Sequence, residues 1–197
     1  GISRIWVELD SLAGTTTTIT AAWGNPAASS APSYSLDGST WSNNFAAAWH
    51  MTDLIAGSFV DSSPLTNHAL GNGATVDTSG QIGSAASFDG STWADVSYTA
   101  ALNPDTFTVL TWAKRASGSG YAAVVSSRDE PQSGYILYSQ GGKFQFWTGP
   151  GWNTDPKMNH GNNAWHQVAM TYDGTTKRIY LDGAPGGTST PAFSKNP

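Results

Sequence analysis

Apolar residues in this chain alternate over short runs instead of recurring every three or four positions, which is the period of strands and not of helices. In Arg4-Ile5-Trp6-Val7-Glu8-Leu9, the residues Ile5, Val7 and Leu9 share one face, with Arg4 and Glu8 on the other. The run from Thr106 to Lys114 repeats the pattern through Phe107 and Val109. Tyr135 to Tyr138, Lys143 to Trp147, Gln167 to Tyr172 and Arg178 to Leu181 add further strands, rich in the aromatic and branched residues that suit a pleated surface. Between them stand residues that tolerate left-handed backbone: Gly141-Gly142, Asp173-Gly174 and Asp182-Gly183. Short strands joined by such turns pair antiparallel, and the pattern predicts an all-β, two-sheet sandwich whose alternate side chains form one core. Only Asn44 to Ile55 could pass as helical, and its Trp49-His50-Met51 suits a strand opening a new sheet at least as well.

Composition agrees with that class. Of 197 residues only 12% are charged, about half the usual share, and Gly, Ser, Thr, Ala and Asn fill the space between aromatics. The net charge is -5 and the nine Lys and Arg are spread thinly, never more than two together, so no basic stripe exists to neutralise a phosphate backbone, and nucleic acid is excluded as a partner. With no cysteine, disulfides and thiolate metal sites are excluded as well. No apolar run approaches the roughly 20 residues that span a bilayer. The absence of cysteine and the low charge fit an exported bacterial protein, placed outside the cell or on its surface.

Organisation along the chain is uneven. The stretch from Gly24 to Ser35, with Pro26 and Pro32 among Ala and Ser, breaks the pattern as a linker does, and a domain junction is expected near residue 47. Residues 1–47 then form the end of an upstream β domain and its linker, and residues 48–197 the main domain. Asp37-Gly38-Ser39-Thr40-Trp41 recurs as Asp89-Gly90-Ser91-Thr92-Trp93, but the flanks do not align, so the echo reads as two similar Asp-Gly turns and not as a duplication.

Four motifs occur in order: Ser87-Phe88-Asp89-Gly90; Phe107-Thr108-Val109 leading to Trp112; Trp165-His166-Gln167-Val168-Ala169-Met170-Thr171-Tyr172-Asp173-Gly174; and Tyr180-Leu181-Asp182-Gly183. In order and spacing they resemble the laminin G-like, concanavalin A-like lectin-glucanase jellyrolls. Trp49-His50-Met51, Asp61-Ser62-Ser63 and Asn67-His68 look like the first strand and loop of the same family. Upstream, Ile5-Trp6-Val7, Trp23-Gly24-Asn25-Pro26 and Phe45-Ala46-Ala47 resemble the close of an uncharacterised bacterial β domain. The family resemblance implies further strands after Leu181-Asp182-Gly183, including an acidic final one, so the chain is expected to be a fragment of a larger protein. It also implies that Trp112 and Trp165 pack inside the sandwich.

Candidate chemistry is sparse. Retaining glycosidases of such jellyrolls set two Glu on one strand face; this chain has only Glu8 and Glu130, in unrelated segments, which argues against an enzyme. His50, His68, His160 and His166 show no close ligand pairing, no Gly-x-Ser-x-Gly elbow is present, and Asp95 reads as a surface residue. Calcium is the cofactor the resemblance implies, since related lectins hold it through loop oxygens; Asp53 and Asp89 with the Gly90 carbonyl are the candidate ligands, although Asp89 reads slightly better as a residue that shapes its turn.

Of the nine tryptophans, Trp147 and Trp152 flank Thr148-Gly149-Pro150-Gly151, with Asn153 and Asp155 following. A sugar offers a C–H face to a flat ring and hydroxyls to amides and carboxylates, so these residues, with Tyr121, form a candidate carbohydrate platform; the alternative is that the rings cover the rim of the sandwich. The expected function is a non-catalytic binding module whose partner is a glycan or polysaccharide, or else an extracellular protein held by an adhesive spacer.

Overall fold

The computed structural model describes residues 4–9, 11, 14–22, 24–33, 36–129, 132–149, 155–190 and 192–197. Trp23, Glu130, Trp152 and Asn153 lie outside the described residues. The regular structure of the described chain is nearly all strand, and its three four-stranded sheets are antiparallel. It divides into two compact units, one of residues 1–79 and 83–97, the other of residues 80–82 and 98–197. The junction expected near residue 47 falls inside the first unit.

The first unit is built on a four-stranded sheet in the order β1 (Trp49–Ile55), β2 (Ser58–Asp61), β3 (Ala69–Asn72), β6 (Trp93–Asp95), with β4 (Thr75–Gly80) and β5 (Gly83–Ser87) as a separate pair. The segment that could pass as helical is therefore strand β1. Phe59, Ala69 and Ala74 form the buried centre, with Trp49, Met51, Leu54, Ala86, Ala94 and Val96 against it. One carboxylate organises the loop after β2. Asp61 is buried and accepts from Ala48 N and Ser63 N through Oδ1 and from Ser63 Oγ and Asn67 N through Oδ2, all at 2.7–2.8 Å. Its own N–H donates to His68 Nδ1 at 3.1 Å, while Asn67 receives the Trp49 indole N–H on its carbonyl.

The N-terminal segment departs from the expected strand. Residues 4–9 alternate as a strand does but form no ladder, and Ile5, Val7 and Leu9 remain exposed. Alternation selects a face only when a partner strand takes the backbone N–H and C=O groups, and none does so among the described residues. The segment is held by a ring instead: Trp6 stacks on His50 at 5.0 Å and meets Trp41 edge-on at 5.4 Å. Burial holds the His50 imidazole below its ordinary pKa.

The second unit is a two-layer sandwich. One sheet runs β11 (Lys157–Asn159), β10 (Lys143–Thr148), β9 (Tyr135–Gln140), β8 (Ala122–Ser126); the other runs β14 (Ala184–Ser189), β13 (Lys177–Leu181), β12 (Trp165–Tyr172), β7 (Phe107–Lys114). Tyr135, Leu137, Phe144 and Phe146 from the first sheet meet Val168, Met170, Tyr172, Ile179 and Leu181 from the second, each set spaced by two along its strand. Gly141 and Gly142 join β9 to β10 with φ of 59° and 72°, and Asp182 and Gly183 join β13 to β14 with 51° and 79°, the paired left-handed geometry of tight hairpins.

Trp112 and Trp165 correct the expectation that they sit in the core. Val109 and Ala113 of β7 and Val168 and Met170 of β12 face the core, and strand alternation sends Trp112 and Trp165 to the opposite face, where both are half-buried.

The β12–β13 turn carries an ion pair of Arg178 with Asp173 at 2.5 Å, and Asp173 also accepts from Thr175 N and Thr176 N. The Arg178 hydrogen bond, with these backbone donors, holds the Asp173 carboxyl down to about 2 from an ordinary 3.8. A carboxyl depressed on folding stabilises the fold above its unfolded pKa and loses that contribution as pH falls through the folded one. Carboxyl NMR titration should therefore find Asp173 ionised at pH 3, and the turn's protection from exchange should fall only as pH approaches 2.

Candidate functional site

Three of the candidate platform residues lie together on the second unit, through a residue that the sequence did not single out. Tyr138 on β9 packs with Ile136 and Trp147 on the face of its sheet opposite the sandwich core. Tyr121, just before β8, lays its ring 5.3 Å from that of Tyr138 at an interplanar angle of 31°. The Tyr138 hydroxyl donates to Asp155 Oδ2 at 3.0 Å and lies 3.1 Å from Gln145 Oε1, and Gln145 Nε2 donates in turn to the Gln140 carbonyl. Lys177 Nζ, from the start of β13, reaches Asp155 Oδ1 at 2.6 Å.

Burial sorts these residues into surface and support. Tyr121 is 49% exposed, whereas Trp147 is 1% and Asp155 4% exposed. Trp147 is thus not the exposed loop ring of the expected platform. It belongs to β10, whose neighbours β9 and β11 flank it, and the Arg128 guanidinium covers its ring at 5.4 Å. Asp155 is likewise spent on Lys177 and Tyr138 and presents no oxygen to solvent. Burial pushes the Asp155 carboxyl up and the Lys177 ammonium down, and each opposes the other's shift through its charge. Burial, with the Asp155 charge added, also pushes the Tyr138 phenol well above its ordinary value, so this hydroxyl acts as a fixed donor and not as an acid. The described surface of the site is therefore Tyr121, held by an inner frame of Tyr138, Gln145, Asp155 and Lys177.

The calcium candidates do not assemble. Asp53 is exposed on β1 with Thr52 Oγ1 at 3.2 Å. Asp89 gives Oδ1 to Ser91 N and Ser91 Oγ, both at 2.8 Å, and these bonds hold its carboxyl below the ordinary value; Gly90 has φ 94°, as the turn requires. Asp37 makes the same bond to Ser39 N at 2.9 Å, so the sequence echo is a repeated turn. Among the described residues no group of three or more His, Asp or Glu side chains could hold a metal.

The histidines serve structure. His166 Nδ1 lies 2.7 Å from Asp182 Oδ2 while Asp182 Oδ1 accepts from Gln167 N, which clasps β12 to the β13–β14 hairpin. His160 Nε2 meets Ser139 Oγ at 2.8 Å and its ring lies on Phe144. Glu8 is exposed in the N-terminal segment.

The family described as the concanavalin A-like lectin/glucanases superfamily, in its laminin G-like form, matches residues 88–197, more than half of the chain. The chain belongs to that superfamily. Its match takes in the whole of β7 to β14, including the ordered motifs at Phe107, Trp165 and Tyr180. No curated protein and no solved structure matches. A laminin G-like domain is in general a module that binds carbohydrate or protein, and the superfamily's own description spans lectins and glucanases. Among the described residues no helix of this superfamily member is long and apolar enough to cross a membrane.

Proposed function

We propose that this laminin G-like domain is a non-catalytic carbohydrate-binding module of an exported, surface-acting protein. The observation that supports the reading is the Tyr121 ring, half-exposed and tilted against a Tyr138 whose hydroxyl is anchored by Asp155 and Gln145. A rigid ring on a strand scaffold offers a sugar its apolar face at little entropic cost. The carboxylate inventory supports a non-catalytic reading: Glu8 and Glu130 belong to separate segments, and Asp155 is committed to Lys177.

The test is a glycan array followed by titration of the strongest ligand, with and without calcium. Binding is expected in both conditions, because a stacking ring needs no cation. Tyr121→Ala is expected to weaken it about tenfold, roughly 1.4 kcal/mol, at unchanged Tm. An unchanged affinity would remove Tyr121 from the site, and capture of protein ligands with no glycan signal would favour an adhesive spacer.

A further inference from the structure

We propose a second carbohydrate site on the open face of the β3–β6 strand pair, formed by Trp93, Asp95 and Asn72 and selective for neutral polysaccharide. This inference rests on the carbohydrate reading above but uses a different unit of the chain. Trp93 and Asp95 are two apart on β6 and share a face, while Ala94 between them turns to the core of the first unit. Across the ladder Asn72 of β3 pairs with Trp93 and Leu70 with Asp95. Trp93 is 56% exposed and Leu70 is exposed beside it.

An exposed indole is ordinarily free to change rotamer, but this one is fixed. Its Nε1–H donates to Asp95 Oδ1 at 3.0 Å, and Asn72 Nδ2 donates to the same oxygen. Both donors being spent on Oδ1, the groups left over are acceptors: Asp95 Oδ2 and Asn72 Oδ1 have no hydrogen-bond partner among the described residues. A flat apolar ring bordered by two acceptors is the complement of a pyranose, whose C–H face lies on the ring while two hydroxyls donate at its edge. The face is an open sheet, so units within a long chain can reach it as readily as a terminal sugar.

Charge narrows the ligand further. The one ionisable group of the platform is a carboxylate, no cation pairs with it among the described residues, and the chain as a whole carries -5. A uronate or sulfate group would be set against that carboxylate without compensation, whereas a neutral hexose meets it as a hydrogen-bond donor.

The experiment measures retention of the full chain by immobilised soluble β-glucan and by dextran, both neutral, and by heparin, which is acidic. Wild type, Trp93→Ala, Trp93→Phe and Tyr121→Ala are compared, each checked by thermal melting. A neutral polysaccharide should retain the wild type and heparin should not. Trp93→Ala should weaken retention about tenfold, and Trp93→Phe should keep most of it because a ring remains. Retention unchanged in Trp93→Ala, or Trp93-dependent retention on heparin as strong as on β-glucan, would overturn the proposal. If Tyr121→Ala abolishes retention while Trp93→Ala does not, this second site falls and the carbohydrate reading stands; if no glycan retains the wild type, both fall.

Discussion

Asp155→Ala should lower the free energy of unfolding by about 3–5 kcal/mol and Tm by roughly 10 °C, although it removes only a small side chain from one edge of a sandwich. Lys177 lies on the inner face of its sheet, in line with Ile179 and Leu181, and is 1% exposed. Its ammonium has Asp155 as its carboxylate partner and the Phe146 ring nearby at 5.8 Å. Without Asp155 the charge stays buried without its counter-ion and the Tyr138 hydroxyl loses its stronger acceptor, keeping Gln145. The double substitution Asp155→Leu with Lys177→Met replaces both charges by apolar volume and should return to within about 2 kcal/mol of wild type, because a buried pair costs about as much to desolvate as it gains. Urea unfolding of the two variants separates this account from its opposite. A single substitution costing less than about 1 kcal/mol would mean that water reaches the pair and that the frame under Tyr121 does not depend on it.

The second large effect is expected at Asp61, in the other unit. Four donors converge on its two oxygens, three of them backbone N–H groups. Asp61→Ala leaves them without it and should cost about 4 kcal/mol, since each buried unsatisfied donor costs about 1–3 kcal/mol. Asp61→Asn keeps one accepting oxygen but turns an NH2 toward two of the donors, so it should lose about half as much stability. Amide hydrogen exchange localises the damage. Ala48, Ser63 and Asn67 should lose protection first, ahead of the strands of the second unit; uniform loss across both units would contradict a role confined to this loop.

Legibility followed locality. Between Phe107 and Leu181, strands β7, β9, β10, β12 and β13 were readable because alternation and Gly- or Asp-Gly turns agree, whereas β8 and the three-residue β11 lack such turns at both ends. Residues 4–9 show the same alternation without a partner strand, and the partner is not a local property of the sequence. Lys177 was not legible as a core residue because a lysine after an Asp-Gly turn reads as solvent-facing, and its counter-ion lies 22 positions away. Trp147 and Asp155 were found as neighbours of a loop but not as buried ones, since their burial depends on Tyr138 and Lys177 from other strands. Among the described candidates, Tyr121 alone combined a readable position with the exposure that a platform requires. Trp93 was visible in its turn echo, yet its partner Asn72 emerges only from the β3–β6 register.

The two units also divide the functional question. Tyr121 and its frame belong to the second, within the family match, while Trp93 opens that match and stands on a sheet of the first.

The most direct test of a non-catalytic carbohydrate module is a paired measurement on the unaltered chain: retention by a panel of neutral polysaccharides, and release of reducing ends from the same panel over prolonged incubation. Retention of at least one polysaccharide with no reducing ends above the protein-free control is the expected result. Release of reducing sugar from any of them, or retention of none, would contradict the account.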